Sequence, residues 1–234
     1  MKIGIMQPYI FPYVGYFQLV HAVDKFVLLD DVNFIKRGWI NRNRILVNGN
    51  DYLFSIPVKN ASQNRLILDC EFSDEPWQDK FLKTIEFNYK KAPFANDVIP
   101  LIERIVNFAD RRISPFVYNH LNQIFGYLDF KKEIIPSSAV YNTGDFKAQD
   151  KILEICKKEH ATHYINPIGG VELYDSSKFK NENIQLSFIK SGEVVYGQGS
   201  GEFVPWLSII DVLMFNSKSQ IVEFLNRYTL VSNE

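Results

Sequence analysis

The chain lacks most of the features that sort proteins into broad functional classes. Its 26 lysines and arginines face 27 acidic residues, for a net charge of -1. Duplex nucleic acid and anionic membrane surfaces are therefore given no electrostatic footprint. There are only two cysteines, Cys70 and Cys156, with neither a CxxC spacing nor a disulfide framework, which fits a reducing compartment. No apolar run reaches the roughly 20 residues of a membrane span. Gln7, Pro8 and Pro12 interrupt the apolar amino terminus, and no small-residue cleavage site follows them. The expectation is a cytoplasmic protein that is neither exported nor inserted, with peripheral association left open. Repeats, low-complexity tracts and flexible linkers are absent as well. So are a Walker lysine and a complete GxGxxG motif, which leaves ATP and dinucleotides with little support and names no cofactor.

What is present is apolar and aromatic. At 234 residues, 46% hydrophobic and 15% aromatic, the chain has ample material for a core. Lys2 to Met6 reads as a short buried strand that stops at Gln7-Pro8. Tyr13 to Val23 has helical apolar spacing, and Lys25 to Leu29 is a second buried strand ending in Asp30-Asp31. Strand, loop, helix and strand make a βαβ unit, whose ligands lie beyond the carboxyl ends of its strands. Arg44 to Val47 and Tyr52 to Val58, joined by Asn48-Gly49, predict a β-hairpin, with Leu66 to Leu68 as an extension of its sheet. Helices are expected over Pro76 to Lys91, Val98 to Asp110 and Pro115 to Leu128, the last with Ser114 as its cap. The alternation then resumes: strand Glu133 to Pro136, helix Lys147 to Glu159, strand His163 to Ile165, a short helix near Ser176 to Lys180 and strand Ile184 to Phe188. A final helix is expected over Pro205 to Asn216, with Ser208 and Asp211 as a weak capping box. The fold class is thus α/β, a Rossmann-like, mostly parallel sheet in a single domain over 1–234. It carries a hairpin insertion at 33–70 and a helical insertion at 76–128.

Four stretches offer chemistry. QPYIFPYVGYFQ, residues 7–18, is an uncharged strand-to-helix loop. Gln7, Tyr9, Tyr13, Gly15 and Tyr16 there would supply hydroxyls, flat faces and backbone donors to a ligand, or the aromatics would merely close the end of the sheet. In KRGWINRNR, the cations suit a diphosphate or carboxylate and Trp39 a base or sugar face; the alternative is a solvated approach to the hairpin. Alternation puts Arg42 and Arg44 on one face and Asn41 and Asn43 on the other, so the whole cluster cannot point at one ligand; Arg37, Asn41 and Arg44 are the favoured candidates, with Arg42 in reserve. Asp30 and Asp31 are the acidic candidates for a base, a hydroxyl-orienting group or a cation site, or else a turn cap with a salt bridge. In YINPIGGVELY, Tyr164, Asn166 and Tyr174 stand at the same rim, and Gln198 in YGQGSGEF is placed to read a sugar hydroxyl from a glycine-rich lid. Each has a bland counterpart in an ordinary turn. His160 and His163 lack further ligands, so no metal site is expected. His21 is expected to pack near the sheet, and no Ser-His-Asp or Cys-His arrangement is recognisable.

The opening, DDVNFIKRGWINRNRI and YGQGSGEFVPWLSIIDVL together resemble the WbqC-like family of bacteria over nearly the whole chain. The resemblance implies work on sugars destined for O-antigen or other surface polysaccharides. Its expected activity is that of a transferase acting on a nucleotide-linked amino sugar, by acyl or aminoacyl transfer. The alternative is a non-catalytic nucleotide-sugar-binding or assembly protein. A more distant likeness places Pro12-Tyr13-Val14-Gly15-Tyr16 where nucleotidylyltransferases carry a His-x-Gly-His turn. Tyrosine in place of both histidines removes the imidazolium charge, which argues against nucleotidyl transfer.

Overall fold

A computed structural model describes residues 1–199 and 201–232 of the chain. Its centre is a six-stranded sheet. Strand β1 (Lys2–Met6) leads through helix α1 (Val14–Ala22) into β2 (Lys25–Leu28), which pairs with it in parallel, Ile3 opposite Lys25 and Met6 opposite Leu28. This is the βαβ unit expected from the apolar spacing. β1 takes β6 (His163–Pro167) on its other side, and β5 (Glu133–Ile135) lies beyond β2. β7 (Gln185–Ser191) and the antiparallel β8 (Tyr228–Val231) complete the order β5-β2-β1-β6-β7-β8. Alternation along the strands divides the core: Phe26 and Leu28 face one layer while Ile3, Ile5 and Val27 face the other. Each face is then covered by helices, as buried parallel strands require.

The hairpin is a separate two-stranded sheet, β3 (Arg42–Val47) with β4 (Asn50–Ser55). Its turn residues Asn48 and Gly49 have φ of 51° and 77°, the paired positive angles that make Asn-Gly a hairpin signal. Leu66 to Leu68 does not extend that sheet. Ile67 and Leu68 donate their N–H groups to the carbonyls of Val32 and Asp30, so the segment pairs with the exit from β2 and turns as a short 3-10 helix, Ile67–Asp69.

Helices α2 (Trp77–Tyr89), α3 (Ala95–Val106) and α4 (Ile113–Tyr127) follow, and Ser114 lies inside α4 instead of capping it. Helix α5 (Ala148–Lys158) crosses to β6, and α6 (Ser176–Asn181) precedes β7. The last long expectation shortens: α7 is Ile209–Phe215, not Pro205 to Asn216. Trp206 sits at φ 61° and Ser208 caps the helix by accepting from the Ile210 N–H at 3.2 Å, so residues 205–207 stay outside the helix and bend at Trp206. Helix α8 (Lys218–Leu225) opens on a full capping box between Ser217 and Gln220, and neither it nor β8 was anticipated. No described helix is long and apolar enough to cross a membrane.

Candidate functional site

The amino end of α1, the outer end of β3 and the segment before α7 meet at the carboxyl rim of the sheet. They are tied there through main chain and small polar groups. Asn43, buried on β3, donates to the Phe11 carbonyl at 2.8 Å, and the Ser208 hydroxyl donates to the same oxygen at 2.7 Å. The Ile209 N–H donates to the Pro12 carbonyl, and the Ser208 N–H donates to the Arg44 carbonyl. Three distant stretches are thereby held in one register, with two of the acceptors belonging to the opening loop.

This junction forms two clefts that share a wall. Tyr13 and Trp206 meet edge to face at 5.9 Å. On one side, Tyr9, Pro12, Trp39, Asn43 and Arg44 enclose with them about 330 Å³. The guanidiniums of Arg42 and Arg44 lie 5.6 and 5.8 Å from the Trp39 ring centre, which confirms that the two arginines share a face. Trp39 is 42% exposed and Trp206 69%, so both offer flat apolar surface to a ligand. On the other side, Ser191 at the end of β7, Glu193, Tyr196, Phe203 and Pro205 help enclose about 320 Å³.

A buried carboxylate fixes the floor. Asp211, fully buried in α7, accepts from the hydroxyls of Tyr89 at 2.9 Å and Tyr196 at 2.7 Å and from the Gln198 amide at 2.8 Å. The Tyr89 hydroxyl in turn accepts from the Leu46 N–H of β3 at 2.7 Å. Burial pushes the Asp211 carboxyl up, against those three hydrogen bonds. Its geometric effect is to join β3, α2, α7 and the 196–198 segment.

The residues anticipated for the site divide. Tyr9, Tyr13 and Arg44 line the first cleft, and Gly15 packs directly behind Tyr13 and Ser191. Burial pushes the Tyr9 hydroxyl up to about 12, with Tyr13 adding to it. Tyr16 is buried beneath Tyr9, their rings 5.6 Å apart, and its hydroxyl donates to the Gln7 carbonyl at 2.9 Å. Arg37 lies at φ 61° in an exposed turn whose carbonyls are braced by Arg42, which donates to Gly38 at 2.8 Å and to Arg37 itself. Asn41 donates to the Ile56 carbonyl at 2.7 Å across the base of the hairpin. Neither Arg37 nor Asn41 lines either cleft.

Asp30 and Asp31 belong to a different cluster. Asp30 is 1% exposed and accepts from the Ser137 hydroxyl at 2.7 Å and the Ser138 N–H at 3.1 Å. Burial raises its pKa in spite of those donors. Asp31 accepts from the Ser138 hydroxyl and from Lys151 Nζ, the latter at 2.6 Å. Neither aspartate lines either cleft. Tyr164, Asn166 and Tyr174 form a third group in the other core layer: the Tyr164 hydroxyl donates to Asn166 Oδ1 and bonds the Tyr174 hydroxyl, both at 2.9 Å. Gln198 is 7% exposed, and its side chain both donates to the Val204 carbonyl and accepts from the Val204 N–H. It serves as a strut under the glycine-rich segment. Of the lid expected there, Ser200 lies outside the described residues.

Trp206, Ser208, Glu193 and Asp211 were not anticipated as site residues. Among them only Ser208 and Asp211 carried a sequence signal, as a capping pair, and that signal pointed to a helix end. Among the described residues no group of histidines, cysteines and acids is arranged to hold a metal.

No solved structure matches the chain. The uncharacterized protein Rv1507c of Mycobacterium tuberculosis is 28% identical over 227 residues, covering 96% of this chain and 97% of that protein. The model of the WbqC-like protein family matches residues 7–223, from the opening loop into α8, and the chain belongs to that family.

Proposed function

We propose that the protein is a cytoplasmic enzyme that modifies a nucleotide-linked amino sugar for a bacterial surface polysaccharide, transferring an acyl or aminoacyl group to the sugar amine. The observation that carries the binding half of this reading is the first cleft. There an exposed indole, with two guanidiniums near its ring, lines the cleft together with a second exposed indole and two tyrosines. Aromatic planes suit a base or the apolar face of a pyranose, and a guanidinium suits the diphosphate between them. The polysaccharide context is the one that the resemblance to WbqC-like proteins implies. Asp30 and Asp31, the acids the sequence offers as a base, are held by Ser137, Ser138 and Lys151 outside both clefts, so this reading assigns the deprotonation of the amine to neither of them.

One observation favours a second reading, a non-catalytic nucleotide-sugar-binding or assembly protein: both aspartates are engaged by internal donors and lie outside the clefts. The two are separated by incubating purified protein with nucleotide-linked amino sugars and activated acyl or aminoacyl donors and following product mass. A product of the expected mass supports the transferase. Saturable binding with no product over the whole panel supports the binding protein, and absence of binding removes both.

A further inference from the structure

The two clefts carry opposite charge. Arg44 is the ionisable wall residue of one, together with Tyr9 and Tyr13, and no acid lines it. Glu193 is the charged residue of the other, and no lysine or arginine lines that cleft. Arg227 packs its guanidinium 4.9 Å from the ring of Phe224 and does not line the cleft. Among the described residues Glu193 makes no ion pair. Around it stand two edge-to-face aromatic pairs, Tyr13 with Trp206 at 5.9 Å and Tyr196 with Phe203 at 5.3 Å. The Tyr196 ring is fixed from behind by its bond to Asp211.

Aromatic faces present the negative side of their quadrupole, so several of them around one carboxylate attract an organic cation and disfavour an anion. We propose that the cleft at Glu193 binds the ammonium group of an amine-bearing sugar. This rests on the nucleotide-sugar reading for the choice of a sugar as carrier, while the ammonium preference stands on the cleft alone. Tyr13 and Trp206 then act as the partition between a cation-binding and an anion-binding half. A ligand holding a diphosphate in one and a free amine in the other spans both, whereas an acetylated amine forfeits the second half.

The test is a calorimetric titration of the full chain with glucosamine and with N-acetylglucosamine, below the pH at which the free amine deprotonates. Glucosamine should bind at least tenfold more tightly. Glu193→Gln should weaken glucosamine about threefold to tenfold, the modest range of a solvent-exposed charge, and leave N-acetylglucosamine unchanged, while Glu193→Asp should restore part of the loss. Equal affinity for the two sugars, no binding of glucosamine at millimolar concentration, or an unaltered Glu193→Gln variant would each overturn the proposal. Uridine diphosphate, titrated separately, reads the Arg44 half. If it fails to bind while the amine selectivity persists, the nucleotide-sugar reading falls and the ammonium site stands; the reverse result removes only the ammonium site.

Discussion

Gly15 offers a test of the partition without touching a ligand-facing side chain. It is the second residue of α1, and a Cβ built there would lie 2.3 Å from Tyr13 Cε2, 2.5 Å from Tyr13 Cζ and 2.5 Å from Ser191 Oγ. All are below the closest approach that carbon side chains adopt, so Gly15→Ala must displace the tyrosine ring, the serine hydroxyl, or both. Two opposing effects bear on stability. Alanine is favoured over glycine in a helix by up to about 1 kcal/mol, whereas overpacking costs roughly 1–3 kcal/mol. Because the obstructing atoms end side chains that can swing, the overpacking cost should fall at the lower end, and the net change should be a loss of about 0–2 kcal/mol. Most of a typical stability of about 5–15 kcal/mol survives that. Binding should not. The ring that moves is the wall common to both clefts, and losing an aromatic contact costs roughly 1 kcal/mol, about fivefold in affinity. Gly126→Ala is the matched control, since its Cβ would meet nothing within 4 Å on α4; that variant should gain up to about 1 kcal/mol and bind as the parent does. Urea unfolding and titration with a nucleotide-linked sugar read the two quantities. If Gly15→Ala gains stability like the control and binds like the parent, Tyr13 does not pack against Gly15 and the partition is wrongly placed.

Arg44→Ala should weaken a nucleoside diphosphate by about 1.5 kcal/mol, the low end for a charge-assisted bond because this half-exposed arginine also pairs with Asp51 at 3.3 Å. Arg37→Ala should cost less, since its side chain lines neither cleft; calorimetry showing the larger effect at Arg37 would relocate the phosphate. His120 is fully buried against Phe11, their ring centroids 4.9 Å apart, and burial pushes its pKa down to about 3. The unfolded chain, with histidine near 6.5, therefore binds the proton more tightly. Stability is complete above pH 6.5 and declines as the pH falls toward 3, by about 2 kcal/mol at pH 5. His120→Leu should remove that part of the loss between pH 7 and pH 5 in urea midpoints, and an unchanged slope would refute the assignment. Ser208→Ala deletes a helix cap and one of two donors to the Phe11 carbonyl, so a loss of about 1–2 kcal/mol is expected in the same assay.

Local signals in the sequence were read correctly where the cause of the structure is local. Short buried apolar runs pointed to β1 and β2, helical apolar spacing to α1, and Asn48-Gly49 to the hairpin turn. The shared face of Arg42 and Arg44 followed from strand alternation alone. Where the sequence left an environment unread, the partner was in some cases far along the chain and in others close by. Asp30 and Asp31 look like free carboxylates at a strand end, but their partners Ser137, Ser138 and Lys151 are over a hundred residues away. Gln198 looked available because nothing nearby in sequence announces Asp211 or Val204 as partners. Trp206 was hidden inside an expected helix, since Pro205 is a fair first-turn residue; the left-handed backbone at 206 and the cap at Ser208 decide otherwise. The Ser217-to-Gln220 capping box that opens α8 is a local signal, legible in the sequence itself.

The lack of charge in residues 7–18 has two separate physical causes. Toward the interior, Ile10, Phe11, Phe17 and Gln18 are 0% exposed, where an unpaired charge would cost several kcal/mol. Gln18 shows how narrow the allowance is. Its amide donates to the carbonyls of Phe224 at 2.8 Å and Arg227 at 2.9 Å, closing the end of α8, a task that a glutamate, being an acceptor alone, would fail. Toward the rim, Tyr9 and Tyr13 face the clefts, and their neutrality lets the two halves take opposite signs from elsewhere, Arg44 from the hairpin and Glu193 from the segment after β7. A cation in place of Tyr13 would neutralise the Glu193 side, and an anion would neutralise the Arg44 side. An aromatic with no formal charge is the residue type that separates the two while offering each a flat face.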